Sequence, residues 1–110
     1  MKQKNRIKNN NTFVSIITNH KPIINNYYLL FYVKNNLSEC RFGISVGKRI
    51  KKAVTRNKIK RQIRAVLRET MEKIKIPVDV IIIVRPGIEK LSFQDKKENL
   101  ISIMKRAKLI

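Results

Sequence analysis

Carboxylates are what this chain is short of. Of its 110 residues only 7 are Asp or Glu, against 26 Lys or Arg, and Glu39 is the sole acid in the first 68 positions. The other six stand at Glu69, Glu72, Asp79, Glu89, Asp95 and Glu98. A formal net charge of +19 spread so unevenly makes one region of the folded molecule intensely positive. Its self-repulsion opposes compaction unless a polyanion relieves it, which points to nucleic acid or an anionic membrane. Cysteine is reduced to Cys40, so an internal disulfide and a thiolate metal cluster are excluded. The lone thiol suits a reducing cytoplasm, and a buried small hydrophobe is its expected role. Histidine is reduced to His20, with no carboxylate or nucleophile close by in sequence, and Asp79 stands alone in an apolar run. Neither provides the paired groups that acid–base or two-metal chemistry needs, so no catalytic residue and no metal site are expected. Long hydrophobic runs are missing too. None reaches the roughly 18 residues of a membrane span, and the polar start KQKNRIKNNNT has no signal-peptide apolar region. A soluble, cytoplasmic protein with no membrane partner is the expectation.

What is present is enough for one core. The apolar fraction of 43% is that of a folded protein, and the length suits a single domain over residues 1–110. Residues 1–8, MKQKNRIK, read as a basic N-terminal arm. NNNTFVSIITN predicts a short helix with Asn or Thr as its cap, and HKPIINN, broken by Pro22, reads as a connector. YYLLFYV over 27–33 and the stretch around Phe42, Ile44 and Val46 predict two strands joined through the turn-like KNNLSE, as an antiparallel hairpin. Residues 48–55 read as a cationic loop, with Thr55 able to cap the helix that follows. VDVIIIV over 78–84 reads as a strand buried on both faces. Residues 92–108 predict an amphipathic helix capped by Ser92, with Asp95 near its positive end.

The segment TRNKIKRQIR, residues 55–64, carries five cations and no acid. Turned as a helix over 56–74, Ile59, Ile63, Val66, Leu67, Thr70 and Ile74 fall in one arc of about 100°, the core face. Asn57, Lys60, Arg61, Arg64 and Arg68 fall in a second arc. Cations three and four residues apart repel one another mildly, so a free helix of this kind is weakened unless an anion lies against it. Solvated helix faces mix the two signs, and this one does not before Glu69. A membrane-surface helix would bring Trp or Phe on its apolar side, which this one lacks. Guanidinium forks match phosphate oxygens, and Asn57 adds a donor and acceptor for a 2′-hydroxyl or base edge. Nucleic acid is the favoured ligand.

RNKIKRQIR, through Arg56, Asn57, Lys60, Arg61 and Arg64, resembles the signature of the bacterial ribonuclease P protein subunit. The upstream FGISVGKRIKKAV is similar to the family's strand and loop before that signature, through Gly43, Val46, Lys48 and Ala53-Val54. KNRIKNNNTF resembles the family's start, with Arg6 before an apolar residue and Phe13 on the first helix. The resemblance covers nearly the whole chain. It implies an α/β (α+β) two-layer sandwich: a four-stranded mixed sheet with three helices, in the order α-β-β-β-α-β-α. That is one strand more than the residues alone predict ahead of the basic helix. It also implies a left-handed crossover between parallel strands, against the general right-handed rule.

By the same resemblance the catalyst is the partner RNA, which positions magnesium and cleaves precursor tRNA at the 5′ end of the mature tRNA. The protein itself binds no cofactor and requires no protein partner. Lys48, Arg49, Lys51, Lys52, Arg56, Asn57, Lys60, Arg61, Arg64 and Arg68 are implied contacts to RNA. Phe13, Ile17, Leu29 and Phe31 are the implied cleft for the substrate's single-stranded 5′ leader, with core packing as their other expected role. Ile17 stands where the family usually carries an aromatic, and an aliphatic side chain cannot stack on a base as an aromatic does. The competing functions are a ribosomal or other structural RNA-binding protein with no role in cleavage, and a nuclease acting by protein groups alone. The ordered Arg-Asn signature disfavours the first, and the lack of paired catalytic groups disfavours the second.

Overall fold

The computed structural model describes residues 3–110. Helix α1, Asn10–Asn19, starts where the Asn9 side chain accepts a hydrogen bond from the Asn11 N–H at 2.8 Å. Strand β1 is only Ile23–Ile24. The Asn25 side-chain oxygen accepts from the N–H groups of Tyr27 and Tyr28, at 3.0 and 2.8 Å, turning the chain so that β1 lies antiparallel on β2, Tyr28–Lys34. The expected connector HKPIINN therefore contains the additional strand, which is too short for alternation to register in sequence.

Strand β3, Arg41–Val46, follows, then helix α2, Ala53–Thr70, strand β4, Val78–Val84, and helix α3, Phe93–Arg106. The sheet order is β1-β2-β4-β3. The expected β2–β3 hairpin does not form, because β4 lies between its two arms, antiparallel to β2 and parallel to β3. The cause is in β4 itself: of VDVIIIV only Ile83 is even partly exposed, and a strand covered on both faces belongs in a sheet interior, bonded along both edges. A parallel neighbour requires a long crossover, and α2 supplies it.

Helix α2 starts before the expected Thr55 cap, with Lys52 at the cap position and no side-chain hydrogen bond there. It ends at Thr70, whose hydroxyl donates to the Val66 carbonyl at 3.0 Å. Ile74 is still buried, but it lies beyond the short turn Met71–Lys73 and outside the helix. Helix α3 is capped as expected, with Ser92 Oγ accepting from the Asp95 N–H at 3.1 Å.

Side chains alternate across the sheet and divide the apolar residues into two unequal sets. Tyr28, Leu30, Val80, Ile82 and Val84 face α2 and α3, where they join Ile59, Ile63, Leu67, Leu100, Ile103 and Met104. The Tyr28 hydroxyl donates to the Lys96 carbonyl at 2.9 Å, and burial raises its pKa well above the ordinary tyrosine value. Phe31 and Ile81 face the other way, onto Ile16 of α1, with Ile7, Phe13, Ile17, Leu29, Val33 and Ile83 only partly buried around them. The expected two-layer sandwich describes the first side; α1 adds a partial cover on the second. One face is sealed and the other is half open.

Part of the expected basic arm is laced to β3. Lys4 Nζ pairs with Glu39 at 2.7 Å, Asn5 Nδ2 donates to the Cys40 carbonyl at 2.9 Å, and the Ile7 N–H donates to the Phe42 carbonyl at 2.9 Å. Met1 and Lys2 of that arm lie outside the described residues.

Ile82→Ala removes a fully buried side chain from the central strand and is expected to cost about 2–5 kcal/mol, read from urea unfolding. A loss below about 1 kcal/mol would be incompatible with the central place of β4.

Candidate nucleic-acid interface

The two arcs of α2 separate as their spacing predicts. Ile59, Ile63, Val66, Leu67 and Thr70 are buried, while Asn57, Arg61 and Arg68 are exposed and Lys60 and Arg64 half-buried. Helical periodicity alone forces this once the apolar arc is pressed on the sheet. No salt bridge among the described residues joins a cation of the stripe to an acid. Glu69, the first acid after the stripe, turns to Lys97 of α3 at 2.8 Å, and that ammonium holds the Glu69 carboxyl below its ordinary pKa. A third side of α2 meets α3, where Lys96 Nζ donates to Gln62 Oε1 at 2.8 Å.

Lys48, Arg49, Lys51 and Lys52 are all exposed on the loop between β3 and α2, which Ile50 pins by burial. Arg56 is placed differently from the rest of the signature. Its Nη1 donates to the carbonyls of Ile50 and Lys51 at 2.6 and 2.9 Å, so it braces the loop against the first turns of the helix. The loop leads directly into the helix that carries the stripe, and Val54, 80% exposed, is an apolar side chain in the first turn between them. Sequence reasoning missed Val54, since nothing local separates an exposed valine from a buried one.

The four residues expected in a second surface are brought together. Phe13, Ile17, Leu29 and Phe31 all belong to the α1-side cluster. Phe31 is 5% exposed and serves mainly as packing, whereas Phe13, Ile17 and Leu29 are half-buried. Phe13 lies over Gly43 of β3: a β-carbon there would sit 3.1 Å from two ring carbons, so glycine is what lets the ring settle on the sheet. Val33 and Ile83 line the same face and were missed, although their period-two spacing from Leu29, Phe31 and Ile81 was the available signal.

Asp79 and His20 do not meet. Asp79 is buried and accepts from Arg41 at both oxygens, Nε to Oδ1 at 2.9 Å and Nη2 to Oδ2 at 2.6 Å, and from Asn35 Nδ2 at 2.8 Å. This ties β3 and the segment before it to β4. His20 is exposed at the end of α1. Among the described residues no group of three His, Cys, Asp or Glu side chains is placed to hold a metal ion, and no helix is long and apolar enough to cross a membrane.

Known proteins resemble this chain over nearly its whole length. The family model described as Ribonuclease P matches residues 1–108. The chain is 44% identical to the ribonuclease P protein component of Mycoplasma mycoides over 109 residues, covering 98% of this chain and 100% of that one. It is 38% identical to the component of Enterococcus faecalis, covering 100% and 94%. Among solved structures, the RNase P protein of Staphylococcus aureus matches with a TM-score of 0.87 at 30% identity, covering 96% of each chain. That of Thermotoga maritima matches with a TM-score of 0.82 at 28% identity, covering 92% of this chain and 96% of the other.

Asp79→Ala leaves the Arg41 guanidinium without its carboxylate in a partly buried site, and a loss of about 3–5 kcal/mol in unfolding free energy is expected. The double variant Arg41→Ala/Asp79→Ala should lose clearly less than the two single losses added together. Simple additivity would show that the pair does not hold the strands.

Proposed function

Because this chain belongs to the ribonuclease P protein family, as a component of the endoribonuclease that matures the 5′ end of tRNA, we propose that its basic surface docks the catalytic RNA and its half-open apolar face takes the 5′ leader of precursor tRNA. Membership in the family implies association with ribonuclease P RNA. The finer assignment is supported above all by one observation: the cations of α2 form a stripe that no carboxylate of the described residues neutralises.

The physical work of such a surface is charge compensation. Each Lys or Arg set against a phosphate releases condensed counterions, so binding is strong at low salt and falls steeply as salt rises. Lys48, Arg49, Lys51 and Lys52 on the loop, with Asn57, Lys60, Arg61, Arg64 and Arg68 on the helix, are the contacts in this reading. Arg56 shapes the surface by holding the loop, and its remaining N–H groups are available to phosphate. Lowering the repulsion among RNA phosphates also lowers the magnesium the RNA needs to fold and react. In this reading the magnesium ion of the holoenzyme is held by the RNA subunit; among the described residues no three His, Cys, Asp or Glu side chains are grouped to hold one. In this reading bond cleavage belongs to the RNA: Asp79 is committed to Arg41, and among the described residues no group is placed beside His20 for acid–base work.

The leader surface would use Phe13 as a stacking ring, with Ile17 and Leu29 as apolar walls and Phe31 as the floor beneath them. A single strand offers unpaired bases to such a platform, whereas the folded body of mature tRNA does not. In this reading the protein works in the cytoplasm, with the catalytic RNA and precursor tRNA as its partners and no protein partner required.

Purified protein added to ribonuclease P RNA and precursor tRNA at low magnesium is expected to raise cleavage sharply, where an unrelated basic protein does not. Cleavage by the protein without RNA would overturn the assignment of chemistry. Phe13→Ala is expected to weaken holoenzyme binding of precursor with a long leader by about 1–3 kcal/mol and to leave mature tRNA unaffected. Equal losses for both would make Phe13 a packing residue only.

A further inference from the structure

Arg6, in the N-terminal segment that resembles the family's start, lies beside the cationic stripe of α2, sharing a cavity with Arg64. Its backbone forms a parallel bridge with Phe42, which fixes it at the outer edge of β3. Its Nε is buried and has no hydrogen-bond partner. An unmade hydrogen bond on a buried charged donor is costly, and native structures contain few of them. The side chain lines a small cavity of about 120 Å³ together with Ile7, Phe42, Gly43, Ile44 and Arg64, which is far more room than one water molecule needs.

Arg64 approaches this cavity from α2. Burial, and after it the nearby Arg6 cation, lower the Arg64 pKa, so the two guanidinium groups repel one another across a partly dry space. The carboxylates on the adjoining elements are engaged elsewhere: Glu39 with Lys4, Asp79 with Arg41 and Glu69 with Lys97. Two guanidinium forks around a small polar cavity, with one donor already desolvated, match the planar, bidentate recognition of a tetrahedral oxyanion. The location adds a second argument. Ile7 belongs to the α1-side cluster and Arg64 to the α2 stripe, so the cavity sits on the rim of the sheet where the two proposed RNA surfaces meet.

We propose that Arg6 and Arg64 form a two-arginine clamp for a single phosphodiester of RNA at this rim. The clamp rests on the reading of α2 as an RNA-binding helix and adds to it a residue from the N-terminal segment.

The test uses the full chain reconstituted with ribonuclease P RNA. Two affinities are measured across a potassium chloride series: protein for ribonuclease P RNA, and holoenzyme for precursor tRNA with a long leader. The variants are Arg6→Ala, Arg6→Lys, Arg64→Ala, the double variant Arg6→Ala/Arg64→Ala, and Arg61→Ala on the exposed stripe. Arg6→Ala is expected to weaken binding about tenfold or more in at least one arm and to lower the salt slope by about one. Arg6→Lys should keep the slope and lose affinity, because the charge stays and the fork does not; it also serves as the working variant if Arg6→Ala fails to fold. The double variant should lose much less than the product of the single losses, since one phosphate is shared. A loss in the first arm assigns the phosphate to the catalytic RNA, and a loss confined to the second assigns it to the leader. Unchanged affinity in both arms for the Arg6 variants, with Arg61→Ala still weakened, overturns the clamp alone. Unchanged affinity for Arg61→Ala as well overturns the reading of α2 together with it.

Discussion

Strand β4 sets the terms for the rest of the molecule. Seven consecutive residues with almost no exposed surface must have both their backbone edges bonded and both their faces covered. The first requirement places β2 on one side and β3 on the other. The second places α2 and α3 against the even-numbered residues and α1 against the odd-numbered ones. Because β3 runs parallel to β4, the chain must cross over between them, and the crossover is the basic helix. The position of the cationic stripe, outward from the sealed face, is thus a product of how a doubly buried strand finds its neighbours.

The unequal covering of the two faces is what separates structure from recognition. On the α2–α3 side, side chains from two long helices exclude water, and the cations on the far side of α2 are carried by a rigid body. On the α1 side, a ten-residue helix covers only part of the sheet, so Phe13, Ile17 and Leu29 stay half-exposed. An apolar surface left partly open beside a dense positive field suits an unstructured anionic chain that carries flat apolar rings. Single-stranded RNA has that chemistry.

Much of this was legible in the residues, for reasons that differ by element. Eighteen residues of α2 give helical periodicity five turns in which to declare itself, so its buried and charged arcs were placed correctly. Ser92 announced α3 through its side chain, and the apolar run of VDVIIIV, interrupted only by Asp79, announced β4. Pairing was not legible, since nothing local in β2 or β3 says that a strand more than thirty residues later will come between them. The two residues of β1 are below the length at which any period exists, and the start of α2 at Ala53 escaped because Lys52 offers no capping side chain. Composition and order singled out the cations as candidates, but only coordinates reveal that Arg56 turns back on its loop and that Arg6 and Arg64 line one cavity.

The strand order also constrains how this polypeptide can be made. A ribosome releases β2, β3 and α2 before β4, so the first two have no partner in each other and the helix has no finished sheet to lie on. Among the described residues, the small β1–β2 pair and the bridge of Arg6 to Phe42 join segments made before β4. Until Val78–Val84 has left the exit tunnel, the cationic helix lacks the strand its apolar face packs on, and the place of that strand between β2 and β3 is what completes the shaped surface.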